Sequence, residues 1–376
     1  IGVATRGNPT TFLPLEKRPN YLPAPAPVPV PVPKPQTSPT GLGHKTSAGN
    51  NTNPPGEQVQ TPRPKLGLPD VVEFEDYAYL DAMGSDWTPE VCLGVGDYQN
   101  LYFKLDSHVL LAGASRSGKS TALYTLVQQL LWGKNAKLIQ LALIDLGGVT
   151  FNHPLFAGLP QVWGQHQQVA KSEEEAIALL QELVLEKRRR EQLFSQSAEL
   201  GYGIDKLATY NRAIATYNRE LQISLLETSN NGGGGQTLAY LPYLKPIVCI
   251  IEEMSTLADQ AREKLLSPLR ELAWQGLKCG IILVNAGQDF REKTTDSAIV
   301  RNSYYRFMFG ETDSETRRTL KFRPEAVPSA PHTKGRGMAH LPGKPVQEFQ
   351  GIYLSKEDFV KRIVELRRQA GLLHPL

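Results

Sequence analysis

The chain has 376 residues, with 41 Lys and Arg against 38 Asp and Glu, so its formal charge is only +3. This length allows one large domain or two modest ones, and the near-neutral balance means that any nucleic-acid surface must come from local clustering of charge. The three cysteines (Cys92, Cys249 and Cys279) are too few and too scattered for a disulfide framework or a zinc cluster. No apolar run approaches the roughly 18 residues that a membrane span requires.

Residues 1–69 differ in composition from the rest of the chain. They hold 16 of the 28 prolines and 7 Lys and Arg against 2 Asp and Glu, whereas the remainder holds 34 basic and 36 acidic side chains. Over residues 23–35, proline alternates strictly with other residues, which removes regular backbone donors and favours polyproline II. The segment has too little apolar surface to offset its ordering entropy. We expect a disordered proline-rich linker here, with a ligand for a proline-reading domain as the alternative.

From residue 70 onward, apolar runs with strand spacing alternate with runs of helical spacing. Strands are predicted at residues 108–112, 137–144, 246–251, 280–286, 306–309 and 348–354. Helices are predicted at residues 120–132, 172–200, 205–225, 257–275, 313–320 and 356–369. Residues 230–236 contain four consecutive glycines and predict a flexible loop. The alternation is typical of an α/β fold with a mainly parallel sheet covered by helices on both faces.

A phosphate-binding motif, GxxxxGK[ST], lies between the first of these strands and its helix. Its glycines let backbone N–H groups close around phosphates, and the helix adds the positive end of its dipole. The lysine can reach the β and γ phosphates, and the serine hydroxyl of Ser120 can coordinate Mg²⁺. A plain glycine turn is the alternative, which the strand–loop–helix context disfavours. The candidate nucleotide-binding residues are Gly113, Ala114, Ser115, Arg116, Ser117, Gly118, Lys119, Ser120 and Thr121.

Two consecutive carboxylates, Glu252 and Glu253, follow the predicted strand at residues 246–251. Carboxylates at the end of a buried strand are costly unless something uses them. In a nucleotide hydrolase the first holds the water shell of Mg²⁺, and the second orients or deprotonates the attacking water. Both are therefore candidate catalytic residues, and Glu252 is also a candidate metal ligand. Helix-initiating acids are the alternative, which the phosphate motif makes less favourable.

Two other polar side chains also follow predicted strands. Gln288 comes just after the strand at residues 280–286, where its amide could sense the γ-phosphate, although a solvent-facing glutamine fits the local sequence equally well. Asp145 ends the strand at residues 137–144 and is a weaker site candidate. Gln288 is the one we count among the candidate catalytic residues.

Basic side chains are concentrated in two places. A run at residues 187–190 lies within a predicted helix, where four consecutive residues point around the whole circumference, so a solvated helix face is favoured over a DNA or subunit contact. Arginines in the C-terminal third could act on a neighbouring subunit's phosphate, with a structural role as the alternative for each. They are Arg301, Arg306, Arg317 and Arg318. Arg306 is the candidate catalytic residue among them.

With these motifs in place, the chain resembles the motor domain of the FtsK/SpoIIIE translocases, within the wider FtsK–HerA superfamily. The resemblance covers roughly residues 91–370, where its ordered motifs make chance agreement improbable. The matching segments are residues 94–97, 108–120 (Walker A), 185–190, 207–211, 246–253 (Walker B), 280–288, 335–338, 341–343 and 349–355.

The resemblance implies a RecA-like P-loop ATPase domain over residues 108–376, preceded by a small lead-in over residues 70–107. It implies ATP and Mg²⁺ as cofactors, and a homo-hexameric ring that moves double-stranded DNA through its pore. We expect a cytoplasmic motor domain. Because the sequence begins at Ile1 rather than Met, a membrane anchor upstream is left open.

The sequence departs from the family pattern at three positions, which keeps alternatives open. Glu252 stands where the family has aspartate, Leu277 where it often has an arginine that acts in trans, and no lysine follows Asp145. One alternative is a protein-moving motor, like the FtsK-type ATPases of type VII secretion. A conjugative or plasmid-mobilising pump is closely related, and a nucleotide-switched scaffold with weak hydrolysis is a third.

Overall fold

The computed structural model describes residues 67–74, 88–97, 99–132, 135–151, 154–199, 203–230, 243–253, 262–291 and 295–372. All of them belong to one compact unit that begins at Pro64. The proline-rich linker predicted over residues 1–69 lies outside the described residues up to residue 66, and the glycine loop lies outside them from residue 231.

The described strands are β1 Val72–Glu73, β2 Glu90–Gly96, β3 Asn100–Lys104, β4 His108–Gly113, β5 Gln140–Asp145, β6 Ile247–Glu252, β7 Ile281–Gly287, β8 Ser303–Phe309, β9 Arg336–His340 and β10 Gln347–Tyr353. They form one ten-stranded sheet with the order β3-β2-β10-β9-β8-β4-β7-β6-β5, and β1 pairs with β10 beside this path. Strands β8, β4, β7, β6 and β5 run parallel, and β9, β10, β2 and β3 extend the sheet in antiparallel fashion. The predicted lead-in at residues 70–107 therefore contributes β1, β2 and β3 to the same sheet.

Helices cover both faces of the sheet. They are α1 Lys119–Leu130, α2 Asn135–Leu138, α3 Glu173–Glu199, α4 Leu207–Asn230, α5 Arg262–Gln275, α6 Ser297–Asn302, α7 Ser314–Thr319 and α8 Lys356–Gln369, with short 3-10 turns at Pro154–Phe156 and Leu277–Cys279. Among the described residues, no helix combines the length and the apolar character that crossing a bilayer requires.

The two faces follow from the alternation of side chains along each strand. On β4, Val109 and Leu111 point into a core shared with α1 and α8, whereas Leu110 and Ala112 point into a core shared with α3 and α5. Strands β4, β6 and β7 are buried along their whole length on both faces, which explains their mainly apolar sequences. The predicted α/β fold with a mainly parallel, helix-covered sheet is confirmed.

The described strands differ from the sequence prediction in several places: β8 begins at Ser303 rather than at residue 306, and β1 and β3 were not predicted. The strand predicted at residues 137–144 begins only at Gln140, because the preceding residues form the short helix α2. Strand β9 was not predicted, since it contains few large apolar side chains. Its Gly337 is required by close packing, because a Cβ there would lie 2.3 Å from the Met308 carbonyl oxygen. This strand exists through its pairing with β8 and β10, which local sequence does not reveal.

A buried histidine at the start of β4 predicts that stability depends on pH. Nδ1 of His108 accepts the N–H of Leu283 at 2.9 Å, and Nε2 lies 3.2 Å from the Ala273 carbonyl oxygen. Burial lowers the pKa of His108 from 6.5 to about 4. Between these values the unfolded chain holds a proton that the folded chain does not, so this contribution is complete above the unfolded pKa and is lost as pH falls towards the folded pKa. The free energy of unfolding should therefore fall by about 2 kcal/mol between neutral pH and about pH 5 from this group alone.

Urea unfolding at the two pH values checks this expectation. In a His108→Asn variant, which cannot titrate and whose Oδ1 can still accept the Leu283 N–H, the loss should be smaller by the same amount. An equal loss in both proteins would assign the pH dependence to other groups.

Candidate nucleotide site

The topology brings the phosphate motif and the paired carboxylates to one edge of the sheet. The motif follows β4, the carboxylates stand at the end of β6, and β7 lies between these two parallel strands. Because parallel strands have their carboxyl ends at the same edge, residues distant in sequence meet there. The two predicted motifs therefore form a single site.

The loop between β4 and α1 has the backbone shape that a phosphate cradle needs. Gly118 has a φ of +113°, and a Cβ on it would lie 2.8 Å from Cα of Gly335, so only glycine fits. The N–H of Gly335 donates to the Ser117 carbonyl oxygen at 2.8 Å and fixes the loop from the side of β9. Helix α1 begins directly after Gly118, so its positive end points into the loop.

The side chain of Lys119 joins the phosphate loop to both carboxylates. Its Nζ lies 3.1 Å from Oε2 of Glu253 and 3.5 Å from Oε1 of Glu252, and Lys119 is 5% exposed. Glu253 has a φ of +61°, an uncommon conformation that turns the chain directly after β6. The predicted cation and both predicted carboxylates are thus brought together.

Glu252 has a charge environment that suits a cation ligand. Burial raises its pKa, the charges of Glu253 and Asp145 raise it further, and Lys119 opposes them. One of its oxygens, Oε2, is buried and makes no hydrogen bond to the described residues. An unpartnered, desolvated carboxylate oxygen fits a hard divalent cation such as Mg²⁺.

Thr150 is a residue of this site that the sequence interpretation missed. Its hydroxyl oxygen lies 3.4 Å from Oγ of Ser120 and 3.3 Å from Oε1 of Glu252, and the residue is 5% exposed. It therefore connects the two predicted metal ligands. A threonine in a loop far from both motifs carries no local signal of such a contact.

Asp145, at the end of β5, holds the loop that contains Thr150. Its carboxylate accepts backbone N–H groups from Gly148 at 3.0 Å, Thr150 at 2.9 Å and Phe151 at 2.5 Å. These bonds fold the loop so that the Thr150 hydroxyl faces Ser120. The weaker candidate from the sequence thus has a positioning role in the structure.

Among the described residues, neither of the other two predicted catalytic residues makes a hydrogen bond or an ion pair with Lys119, Glu252 or Glu253. Gln288 is exposed just after β7, at the same edge of the sheet. Arg306 is 3% exposed, and its Nη2 donates to the Val300 carbonyl oxygen at 3.0 Å. It shares the sheet face of Met308, which packs towards α3 and α5, opposite α1. The structure therefore does not bring Arg306 to Lys119, and burial lowers the pKa of its guanidinium.

The basic run at residues 187–190 is only partly solvated, which corrects the expectation of a solvated helix face. Lys187 and Arg190 are 3% and 2% exposed. Nζ of Lys187 contacts Glu271 on α5 at 3.2 Å, and Nη1 of Arg190 donates to the Cys279 carbonyl oxygen at 2.6 Å. Arg188 and Arg189 are exposed but paired with Glu271 and Glu186. The run mainly joins α3 to α5 and the turn after it.

The strand order, the phosphate loop and the carboxylates on β6 define a P-loop domain with a RecA-like core. The family model of the FtsK/SpoIIIE family matches residues 82–292, more than half of the chain. The chain belongs to the FtsK/SpoIIIE family, as the sequence motifs predicted.

Named relatives agree with this membership. DNA translocase FtsK of Bacillus cereus is 28% identical over 262 residues, which are 69% of this chain and 29% of that protein. DNA translocase SpoIIIE of Bacillus subtilis is 27% identical over 262 residues, with the same coverage of both chains. The chain thus spans less than a third of the length of these relatives.

Two solved structures share the fold. The conjugation coupling protein TcpA of pCW3, in its monomer form with ATPγS, superposes with a TM-score of 0.58 at 22% identity, over 80% of this chain and 75% of that chain. The cytoplasmic domain of the type VII secretion ATPase EccC of Thermomonospora curvata gives a TM-score of 0.54 at 18% identity, over 79% of this chain and 33% of that chain.

Proposed function

We propose that the chain is an ATP-hydrolysing motor domain that translocates double-stranded DNA through a ring of identical subunits. The observation that carries the ATPase part is the contact of Lys119 in the phosphate loop with Glu252, at the end of β6, and Glu253, directly after it. The DNA part is supported by family membership and by relatives that are named DNA translocases.

The triphosphate of ATP would lie on the backbone N–H groups of residues 114–119, at the positive end of α1. Lys119 would then turn from Glu253 to the β and γ phosphates, because the phosphates present a higher density of negative charge. This exchange releases the Glu253 carboxylate to accept a proton from the attacking water. In the ion pair with Lys119, the same carboxylate contacts the ammonium instead of the attacking water, so hydrolysis is coupled to correct binding.

Ser120 and Glu252 would hold Mg²⁺, with Thr150 keeping their oxygens in register. When bound, this ion supplies positive charge that stabilises the phosphates in the transition state. Glutamate in place of the family's aspartate reaches one methylene further. Since the Glu252 carboxylate already lies against Thr150 and Lys119, the longer side chain still places its oxygens at the site.

Removing the Thr150 hydroxyl should weaken metal-dependent binding. Thr150→Val keeps the shape but loses the link between Ser120 and Glu252, and a hydrogen bond to a charged group is worth about 1.5–3 kcal/mol, or roughly tenfold or more in affinity. We expect a higher Mg²⁺ concentration at half-saturation in titrations of a fluorescent ATP analogue, and nearly unchanged binding without the metal. Thr150→Ser, which keeps the hydroxyl, is the matched control. Equal Mg²⁺ dependence of the Val variant and the wild type would contradict this role.

The experiment that tests the proposed function compares steady-state ATP hydrolysis with and without long duplex DNA. Residues 70–376 are nearly neutral in sum, so DNA contacts must come from local basic groups and backbone amides that reach phosphates. Stimulation by DNA should therefore show little sequence preference and a strong salt dependence. The logarithm of the DNA-binding constant should fall linearly with the logarithm of the salt concentration, with a slope of about −0.9 per phosphate contact.

A protein-moving motor is the second candidate, since the EccC domain shares the fold to a similar degree as TcpA. That function predicts stimulation by a peptide or protein and indifference to DNA. ATP hydrolysis that stays constant with duplex DNA at low salt, in an assembled ring, would favour it over DNA translocation.

A further inference from the structure

A cavity of about 480 Å³ lies directly beside the phosphate loop, and the residues that follow the proline-rich segment form one of its walls. Asp70, Val71 and Glu73 line this wall, and Gly118 and Thr121 line the side of the phosphate loop. Strand β1 stays at this place because it pairs in parallel with β10. The beginning of the described chain thus belongs to the surroundings of the site.

The chemistry of the cavity fits the nucleoside part of a nucleotide. Its volume is in the range of small-molecule sites. Two apolar side chains that line it remain open to solvent, Val71 at 56% exposure and Tyr353 at 41%. Such surfaces suit the faces of a flat base, whereas the carboxylates of Asp70 and Glu73 can accept hydrogen bonds from ribose hydroxyls or a base amine.

Besides the pairing of β1 with β10, a buried guanidinium anchors the start of this wall. Arg336 on β9 is 5% exposed; its Nη2 donates to the Pro69 carbonyl oxygen at 3.1 Å, and its Nε donates to Oε1 of Gln350 at 3.0 Å. Asp70 adds a longer contact of 3.7 Å to the same guanidinium. The planar guanidinium donates to the Pro69 carbonyl oxygen and to Gln350 at the same time from fixed positions. The ammonium of a lysine does not hold its donors in this fixed fork.

The same part of β9 also contacts the phosphate loop. The residue before Arg336 is Gly335, whose N–H donates to Ser117 and whose Cα closely faces Gly118. The carbonyl oxygen of Gly335 accepts the N–H of Gly351 on β10 at 2.8 Å. The wall, its anchor and the phosphate loop are therefore connected through consecutive residues.

We propose that residues 69–73 form the nucleoside-binding wall of the ATP site and that Arg336 fixes them there. This inference rests on the proposed ATP site. It makes the affinity for ATP depend on the position of the chain that follows the proline-rich segment. Displacing that chain weakens contacts to the nucleoside and leaves contacts to the phosphates in place.

The test is isothermal titration of the full chain with two probes, ATP and inorganic tripolyphosphate, both with Mg²⁺. Val71→Ala should bind ATP about three- to fivefold more weakly through lost apolar contact, and Arg336→Lys about tenfold more weakly through a loosened wall. Neither variant should change the affinity for tripolyphosphate by more than about twofold, because that probe lacks the nucleoside. Leu185→Ala is the matched control, since Leu185 is 63% exposed on α3 and does not line the cavity.

The outcomes separate this proposal from the ATP site itself. Wild-type ATP affinity in both variants, with normal binding by the wild type, overturns the wall and leaves the ATP site standing. Equal weakening of both probes also overturns it, because the effect then acts through the phosphate loop. A wild-type chain that binds neither probe overturns the proposed ATP site and this inference with it. Val71 is exposed, so its variant stays informative if Arg336→Lys fails to fold.

Discussion

Replacing Glu253 by Gln should abolish ATP hydrolysis and leave ATP binding as tight as in the wild type, or tighter. The amide cannot accept a proton from water, and the loss of a general base typically costs about 10²–10⁴ in rate. The amide also carries no charge to hold the Lys119 ammonium, which lies 3.1 Å from the native carboxylate, so the lysine is freer to meet the phosphates.

Single-turnover hydrolysis and equilibrium binding of ATP check the two halves of this expectation. Glu263→Gln, at an exposed glutamate of α5, is the control for the loss of one negative charge. A Glu253→Gln protein that hydrolyses ATP at the wild-type rate would move the role of the base to Glu252 or to another group.

Replacing Lys119 by Ala should lower the affinity for ATP by about a hundredfold or more, because the site loses the cation that faces the phosphates. The deletion also leaves Glu252 and Glu253 without the ammonium that lies within 3.5 Å of both. Their uncompensated negative charge then opposes the triphosphate, which adds to the direct loss.

Titration with a fluorescent ATP analogue measures this effect, and Lys137→Ala, at an exposed lysine of α2, is the control. Unimpaired binding by folded Lys119→Ala protein would show that the phosphate loop is not the nucleotide site.

The parts of the site that the sequence predicted are those set by local geometry. A phosphate loop is specified within nine consecutive residues, from Gly113 to Thr121, since its glycines and its helix start determine its shape. Glu252 and Glu253 could be identified as site residues from the sequence, because charged side chains at the end of an apolar strand are unusual. Parallel strands then bring both motifs to one edge of the sheet.

The parts that the sequence did not reveal depend on pairing between distant segments. Thr150 faces Ser120 only because three N–H groups bind Asp145 and fold the loop. The sequence left Arg306 open between a role at a neighbouring subunit's phosphate and a structural role, and strand alternation points it into the core beside α3 and α5. Arg336 can be identified as the residue that anchors Pro69 only from the structure, in which β9 lies between β8 and β10.

Triplex displacement directly measures whether ATP hydrolysis moves this chain along duplex DNA, as we propose. A third strand bound at one end of a linear duplex should be displaced after a delay that grows in proportion to the length of duplex in front of it. Displacement should require ATP and be absent with Glu253→Gln protein, which binds ATP without hydrolysing it. A wild-type protein that hydrolyses ATP in the presence of duplex DNA, yet displaces no third strand at any length, would contradict the claim.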